Sequence, residues 1–371
     1  MMRVLHVGKF YPPHHGGMER VVETLCQATR GIVDNRVLVA RATGPTVEED
    51  VNGVHVTRVA TIGAAGSVHV APAFASRLRH AEADLIVLHE PNPWALLSYA
   101  IARPAAPLAI WYHSDVVRPA LQYALFYAPL ARTAYRHARR FVVSSPPLGV
   151  HAAPLAPYQS RVRVIPFGID PAPWQSTGGD AAPGDEPFLF FAGRHVEYKG
   201  VDVLLRALAG TRTRAVIAGD GPRRAAWEQL SQELGIASRV TFTGDISDTE
   251  LRRLMRACAA FVLPSITRAE AFGYVQLEAM AAGKPVISTD VPSGVSWVNE
   301  DMRTGLVVHA GDPVSLRTAI ERVMADPAWR AQLGAAGRAR VEAEFTIERL
   351  RERLRAFYEE LAVVPQWPAA C

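Results

Sequence analysis

Lysine is almost missing from this chain: among 40 basic residues only Lys9, Lys199 and Lys284 are lysines. Since arginine fills nearly every other basic position, those three mark places where a compact ammonium matters. Cysteine is as scarce. Cys26, Cys258 and Cys371 lie far apart with no C-x-x-C, which argues against a disulfide frame or zinc site and fits a reducing cytoplasm. No stretch approaches the ~18 uninterrupted apolar residues of a membrane span. The opening M-M-R-V-L-H-V-G reads as a first strand, not a signal peptide. G-x-G-x-x-G is absent and no acidic residue ends the second strand, Asn35–Ala40, so a dinucleotide cofactor is disfavoured.

What remains is a globular composition. The 371 residues suffice for two α/β domains, and 49% hydrophobic against 20% charged content excludes a disordered chain. The net charge of +4 is uneven. Residues 1–172 hold 17 basic against 11 acidic side chains (+6) and the rest 23 against 25 (−2). The basic half suits either an anionic surface or ordinary solvated faces. Nothing points to nucleic acid.

The first array reads as strand Arg3–Val7, a Gly- and Pro-rich loop from Gly8 to Gly17, and a helix from Met18 to Arg30. The Gly16-Gly17 pair lets backbone approach a ligand closely. Further strands are expected at Val54–Val59, Asp84–His89, Pro107–Tyr112, Phe141–Val143 and Val162–Ile165, with Pro72 starting a helix and Trp94–Ala102 helical. Ligands of open α/β sheets bind beyond the carboxyl ends of strands. His89, Glu90, His113 and Asp115 stand at such ends, as catalytic or acceptor-side candidates or as loop side chains bonded to backbone. Ala120–Arg140 reads as one amphipathic helix, with Leu121, Leu125, Phe126 and Leu130 on one side and Arg132, Arg136, Arg139 and Arg140 at its end. It either packs on its own domain or meets a membrane surface.

Pro171 to Glu186 has no periodicity and reads as the interdomain linker. The alternation then restarts: strand Phe188–Ala192, helix Val201–Leu208, strand Ala215–Ala218, helix Arg223–Leu234, strand Val240–Thr243, a capping box at Ser247–Glu250, strand Ala260–Leu263. The stretch Thr267–Thr289 organises the chain. Gly273 opens a helix there, Gly283 closes it, and a buried strand follows. Backbone N–H groups of Ala271, Phe272 and Gly273 at the helix start suit a phosphate, and Glu270 and Glu278 can accept from sugar hydroxyls. Arg194 and Lys199, five apart after a strand, can hold a diphosphate and stabilise its charge as it leaves. Gly219-Asp-Gly221-Pro222 is another glycine turn at a strand end.

Together these pieces resemble the family 4 glycosyltransferases, retaining enzymes of the GT-B fold, in order and spacing over most of the chain. The resemblance implies two Rossmann-like domains facing across a cleft: residues 1–172, joined by a final helix at about 347–361, and residues 173–346. By that resemblance Glu278 binds the donor ribose and Glu270 the donor sugar. Ala271, Phe272 and Gly273 give N–H groups, Arg194 and Lys199 grip the diphosphate, and Gly16, Gly17, Gly219 and Gly221 approach it. The base lies near Asp245 and Ile246, and His113 touches the sugar near the reacting carbon. No metal is implied, in keeping with the lack of a D-x-D between strands. The reaction implied is transfer from a nucleotide sugar to an acceptor hydroxyl with retention. Same-face substitution is preferred over double displacement, and the residues leave both open.

The run T-R-A-E-A-F-G-Y-V-Q-L-E-A-M and H-S-D-V-V-R also look like bacterial mannosyl- and rhamnosyltransferases of surface polysaccharides. They imply GDP-mannose as donor, a lipid-linked or saccharide acceptor, and peripheral contact with an anionic membrane. UDP- or dTDP-sugars are the alternative donors. An epimerase, a dehydrogenase and a non-catalytic nucleotide-sugar sensor are the rivals; Glu270-x7-Glu278, Arg194-x4-Lys199 and the missing dinucleotide fingerprint weigh against them.

Overall fold

The structure is a computed structural model and describes residues 1–14, 16–65, 68–115, 125, 127–175 and 186–363. It divides into two compact units. The first holds residues 1–144, 152–168 and 347–371, the second residues 145–151 and 169–346.

The first unit contains ten strands among the described residues: β1 (Arg3–Val7), β2 (Asp34–Arg41), β3 (Val47–Val51), β4 (Val54–Ala60), β5 (Gly63–Ala65), β6 (Val68–Val70), β7 (Leu85–Glu90), β8 (Leu108–Tyr112), β9 (Ala138–Val143) and β10 (Val162–Val164). Eight form one sheet, ordered β10-β9-β8-β7-β1-β2-β4-β3, parallel except for β3 against β4. Strand order reverses between β1 and β7, the place where such sheets open a crevice. The apolar runs of β7 and β8 are buried at every residue, as parallel strands covered on both faces must be. The final helix, Ile347–Val363, packs on helix Gly17–Ala28. Arg140 and Arg163 both pair with its Glu360.

The second unit is six parallel strands: β11 (Phe188–Ala192), β12 (Arg214–Ala218), β13 (Val240–Gly244), β14 (Ala260–Leu263), β15 (Val286–Thr289) and β16 (Gly305–Val308). Their order, β13-β12-β11-β14-β15-β16, is that of a doubly wound nucleotide-binding sheet. Its reversal falls between β11 and β14. Its core joins strand residues such as Leu189, Ile217 and Val262 to Leu204, Leu208 and Ile320 of the covering helices. No helix among the described residues is long and apolar enough to cross a membrane.

Several expectations need correction. V-E-E-D-V at Val47–Val51 pairs antiparallel with β4 through a tight turn at Asn52-Gly53, both at positive φ (52° and 76°). The acidic centre of that strand hid it. Pro72 lies in a turn, and the helix begins at Phe74. Ala120–Arg140 is not one helix. Among its described residues the helix is Ala128–His137, and Arg139 and Arg140 lie on β9. There the run R-F-V-V pairs with β8 and β10, so tertiary pairing overrides helical spacing. Leu121 and Phe126 lie outside the described residues, as do 176–185 of the proposed linker and the tail from 364. The units divide at Gly168–Ile169, and Trp174, 5% exposed, anchors the following turn within the second unit. Of the capping box only half forms: Ser247 Oγ accepts from Glu250 N, while the Glu250 carboxylate turns to Arg253.

Candidate active site

In the second unit, the loops leaving β11 and β14 diverge at the reversal of strand order. They meet again through backbone. The turn Glu197–Lys199 ends in Gly200 at φ +65°, and a Cβ on Gly200 would fall 2.1 Å from Pro264 O. Only glycine lets the turn dock that closely. Ile266 N then donates to Tyr198 O at 2.8 Å. This docking sets Lys199 Nζ 2.5 Å from Glu270 Oε2, to which Ser265 Oγ also donates at 3.0 Å. Ser293 Oγ donates to the Glu270 carbonyl at 2.6 Å and ties the loop to the next crossover. The two charged side chains are each 11% exposed. Burial pulls the Lys199 ammonium down, and the Glu270 carboxylate more than offsets it, so its pKa lies above the ordinary value. Glu270 Oε1 has no hydrogen-bond partner among the described residues, so one oxygen holds the lysine and the other stays open to a donor such as a sugar hydroxyl.

The neighbouring loops follow the same plan. Gly193 N donates to Ala218 O, His195 N to Asp220 O and Arg223 N to His195 O. Gly219 and Gly221 take φ +111° and +153°, and a Cβ there would meet Gly193 O at 2.1 Å and His195 O at 2.6 Å. The packing of two loops on one another therefore demands both glycines. Arg194 is exposed on the same loop as Lys199. Asp245, exposed, and Ile246, half-buried, follow β13.

The helix expected from Gly273 runs instead from Val275 to Ala281. Gly273 sits before it at φ +70°, and its carbonyl accepts from Gln276 N. Glu278 is thus in the first turn and is 2% exposed. Ala271 and Phe272 lie in the buried bend between Glu270 and that helix. Seven residues make a short dipole, so the buried Lys199–Glu270 pair, not the helix tip, is the dominant electrostatic feature here.

In the first unit, Gly16 caps helix Gly17–Ala28 in extended conformation, and apart from its own helix and chain neighbours no atom of the described residues lies within 4 Å of where a Cβ on Gly17 would stand. Packing does not require a glycine there. His89 and Glu90 are 0% exposed, so neither presents surface to an acceptor. Glu90 Oε2 accepts from Tyr135 and Tyr127 hydroxyls at 2.7 and 3.0 Å. Burial pushes its carboxyl up to about 7 against the pull of those two bonds. Asp115 accepts from Tyr112 at 2.7 Å.

His113, 9% exposed, ends a line of buried rings that includes one residue the motifs did not signal, His6. His6 Nε2 meets Asn35 Oδ1 at 3.2 Å, His6 Nδ1 meets His89 Nε2 at 3.0 Å, and His89 Nδ1 meets His113 Nε2 at 2.8 Å. Burial lowers His6 to about 4 and His113 to about 3, and lowers His89 well below its ordinary range with help from its two neighbours. All three are neutral at pH 7. The available signal was a histidine in each of three otherwise apolar strand segments, R-V-L-H-V, L-I-V-L-H-E and L-A-I-W-Y-H.

Comparison with known proteins places the chain in a family. A model described as glycosyl transferases group 1 covers residues 177–340, and one described as Glycosyltransferase Family 4 covers residues 15–173. The O-antigen chain mannosyltransferase C of Escherichia coli is 31% identical over 97% of this chain and 99% of its own length. The D-rhamnosyltransferase WbpZ of Pseudomonas aeruginosa is 32% identical over 93% and 92%. Among solved structures, sucrose-phosphate synthase of Thermosynechococcus elongatus superposes with a TM-score of 0.82 at 24% identity, covering 98% of this chain and 99% of that one. Anabaena HepE in complex with UDP and glucose gives 0.77 at 22%, covering 98% and 100%. Those two likenesses establish a GT-B glycosyltransferase fold.

Proposed function

The chain belongs to glycosyltransferase family 4 and is a sugar-transferring enzyme; on that premise we propose its donor, acceptor and mechanism. The donor is a nucleoside diphosphate sugar, GDP-mannose as first choice. The acceptor is a hydroxyl of a lipid-linked or saccharide chain. The anomeric configuration is retained and no metal ion is required.

The observation that carries this reading is the Lys199–Glu270 contact at the strand-order reversal. A buried ammonium held by a carboxylate is charged, fixed and poised to share itself with an incoming diphosphate. With Arg194 on the same loop it offsets the charge that builds on the departing phosphate, the task a divalent ion performs elsewhere. Glu270, already engaged by Lys199 and Ser265, is a positioning carboxylate rather than a nucleophile. The leaving phosphate oxygen then takes the acceptor's proton as the new glycosidic bond forms on the face the nucleotide leaves. Arg194, Lys199, Asp245, Ile246, Glu270, Ala271, Phe272, Gly273 and Glu278 are the donor-binding set, and His113 accepts from a substrate hydroxyl.

Mannose is favoured because a relative aligned end to end is a mannosyltransferase by name. D-rhamnose is the second reading, favoured by the likeness to WbpZ. The charge excess of residues 1–172 supports work in the cytoplasm against the anionic inner face of the membrane.

The test is thermal stabilisation by GDP-mannose, UDP-glucose, dTDP-rhamnose and ADP-glucose, then slow donor hydrolysis in EDTA without acceptor. GDP-mannose should shift the melting point most, and EDTA should leave hydrolysis intact. Stabilisation by another donor would refute the mannose assignment. Loss of activity with EDTA, restored by a divalent ion, would refute metal independence. Inverted product stereochemistry would refute retention.

A further inference from the structure

The buried histidines of the first unit form a diagonal across four strands. Parallel register pairs His6 of β1 with Val37 of β2 and with Val87 of β7, and His89 of β7 with Trp111 of β8. Asn35 stands two residues before Val37, His89 two after Val87, and His113 two after Trp111. Each step moves one strand across and two residues along. A two-residue step preserves the face of the sheet, so all four side chains line one side and meet edge to edge. Their rings lie nearly parallel, with centroids 5.3 Å apart for His6 and His89 and 5.1 Å for His89 and His113. Trp111 and Phe167 stack beside His113.

The proton positions along this line are not free. It starts at the carbonyls of Leu25 and Cys26 at the end of helix Gly17–Ala28, which can only accept. Thr29 Oγ1 donates to Leu25 O at 2.8 Å, so its remaining capacity there is to accept. Asn35 Nδ2 donates to Thr29 Oγ1 at 2.9 Å and to Cys26 O at 3.2 Å, which fixes the amide with Oδ1 toward His6. His6 must then carry its proton on Nε2. Being neutral, it offers a bare Nδ1 to His89, which carries its proton on Nε2 in turn. The same step repeats at His113. Its Nδ1 is left unprotonated, has no hydrogen-bond partner among the described residues and, unlike both ring nitrogens of His195, is not sealed from solvent.

We propose that Asn35, His6 and His89 are positioning residues that hold His113 in the Nε2–H tautomer, so that its bare Nδ1 accepts a hydrogen bond from a hydroxyl of the sugar being transferred. The inference rests on the reading of His113 as a sugar-contacting residue. It adds that this contact is acceptor-only and uncharged, and that its polarity is set three side chains away, at Asn35, whose amide is fixed by the end of a helix. Such a site takes a hydroxyl and leaves an analogue with fluorine or hydrogen at that carbon without its bond.

The test uses the full chain labelled with ¹⁵N-histidine, each ring assigned by single replacement, with transfer kinetics on the same samples. In the wild-type protein His6, His89 and His113 should each show a pyrrole-type Nε2 and a pyridine-type Nδ1. His89→Asn keeps an acceptor oxygen near the Nδ1 position, so it should keep the His113 tautomer and most of the turnover. His89→Leu removes the acceptor; His113 should then mix tautomers and kcat should fall roughly ten- to a hundredfold, with a smaller change in donor KM. A proton on Nδ1 of wild-type His113 would overturn the proposal, and that spectrum needs no variant to fold. So would equal losses in the two variants with the His113 spectrum unchanged. If the wild-type protein turns over no nucleotide sugar, the reading of its substrate falls, while the spectra still decide whether the tautomer is imposed.

Discussion

Lowering the pH from 7.5 to 5 should strip stability from the N-terminal unit through its buried histidines. Burial holds His6 at about 4, His113 at about 3 and His89 well below its ordinary 6.5. In the unfolded chain all three titrate at about 6.5. A depressed histidine means that the unfolded state binds the proton first. Stability is therefore full above the unfolded value and is lost as pH falls toward the folded one. By pH 5 His6 and His113 each withdraw about 2 kcal/mol, about 4 kcal/mol together, and His89 acts in the same direction. Glu90 acts in the opposite direction. Burial raises its carboxyl from 4.5 to about 7, so the folded state binds that proton first. Its contribution is present at low pH and lost as pH rises through 7; by pH 5 it returns about 2.4 kcal/mol. For His6, His113 and Glu90 the balance is a loss of about 1.6 kcal/mol, which lowers Tm by roughly 3–6 °C for a unit of this size, and His89 deepens it.

The assay is thermal unfolding at pH 7.5, 6 and 5, with calorimetry in buffers of different ionisation heat to count protons. Unfolding at pH 5 should take up more than one proton: about two by His6 and His113, with His89 adding to them, less most of one released by Glu90. Glu90→Gln removes the offset, so its loss over the same range should reach about 4 kcal/mol or more; the transition it moves identifies the N-terminal unit. A Tm that holds level or rises between pH 7.5 and 5, or unfolding with no net proton uptake, would show that the histidines are not held neutral and would refute the reasoning.

Lys199→Ala leaves the Glu270 carboxylate buried without its counter-charge and should cost about 3–5 kcal/mol, whereas Lys199→Ala with Glu270→Gln should cost clearly less; additive losses in urea unfolding would contradict the pairing. Both variants should lose the melting shift given by GDP-mannose. Glu278→Ala should abolish transfer while the protein still melts cooperatively, and wild-type turnover would remove Glu278 from the donor site. Gly219→Ala drives a Cβ to 2.1 Å from Gly193 O at a positive φ, so it should destabilise by roughly 2 kcal/mol or more and weaken donor binding by displacing the loop of Arg194 and Lys199. Unchanged donor affinity would show that the two loops are not coupled. Glu360→Gln weakens the tie of Arg140 and Arg163 to the last helix and should cost only about 1 kcal/mol by urea unfolding, without touching turnover.

How far the chain could be read in advance follows from how each element is specified. Phe188–Ala192 and Ala260–Leu263 are apolar at every position and bounded by turn residues, and both were placed to the residue, because a strand buried on two faces needs no partner to be recognised. The motif residues of the donor loops were legible for the same local reason. Arg194, Lys199 and Glu270 each follow such a strand directly. The bond between Lys199 and Glu270 depends on β11 and β14 being neighbours, although two strands intervene in the chain. Local pattern leaves Val47–Val51 unassigned and makes a basic helix of the arginines of β9; only pairing with β4, β8 and β10 makes them strands. His6 is the sharpest case. A histidine inside R-V-L-H-V looks like a lone core residue, and His89 and His113 look like loop residues at two unrelated strand ends. What joins them is a register in which each adjacent strand is offset by two, and register is a property of pairs of strands. The chemistry of His113 is accordingly written in five segments, none of which contains it alone: the end of helix Gly17–Ala28, Asn35, His6 and His89 each pass on one constraint to His113, and replacing either intervening ring by an apolar side chain should free the tautomer of the last.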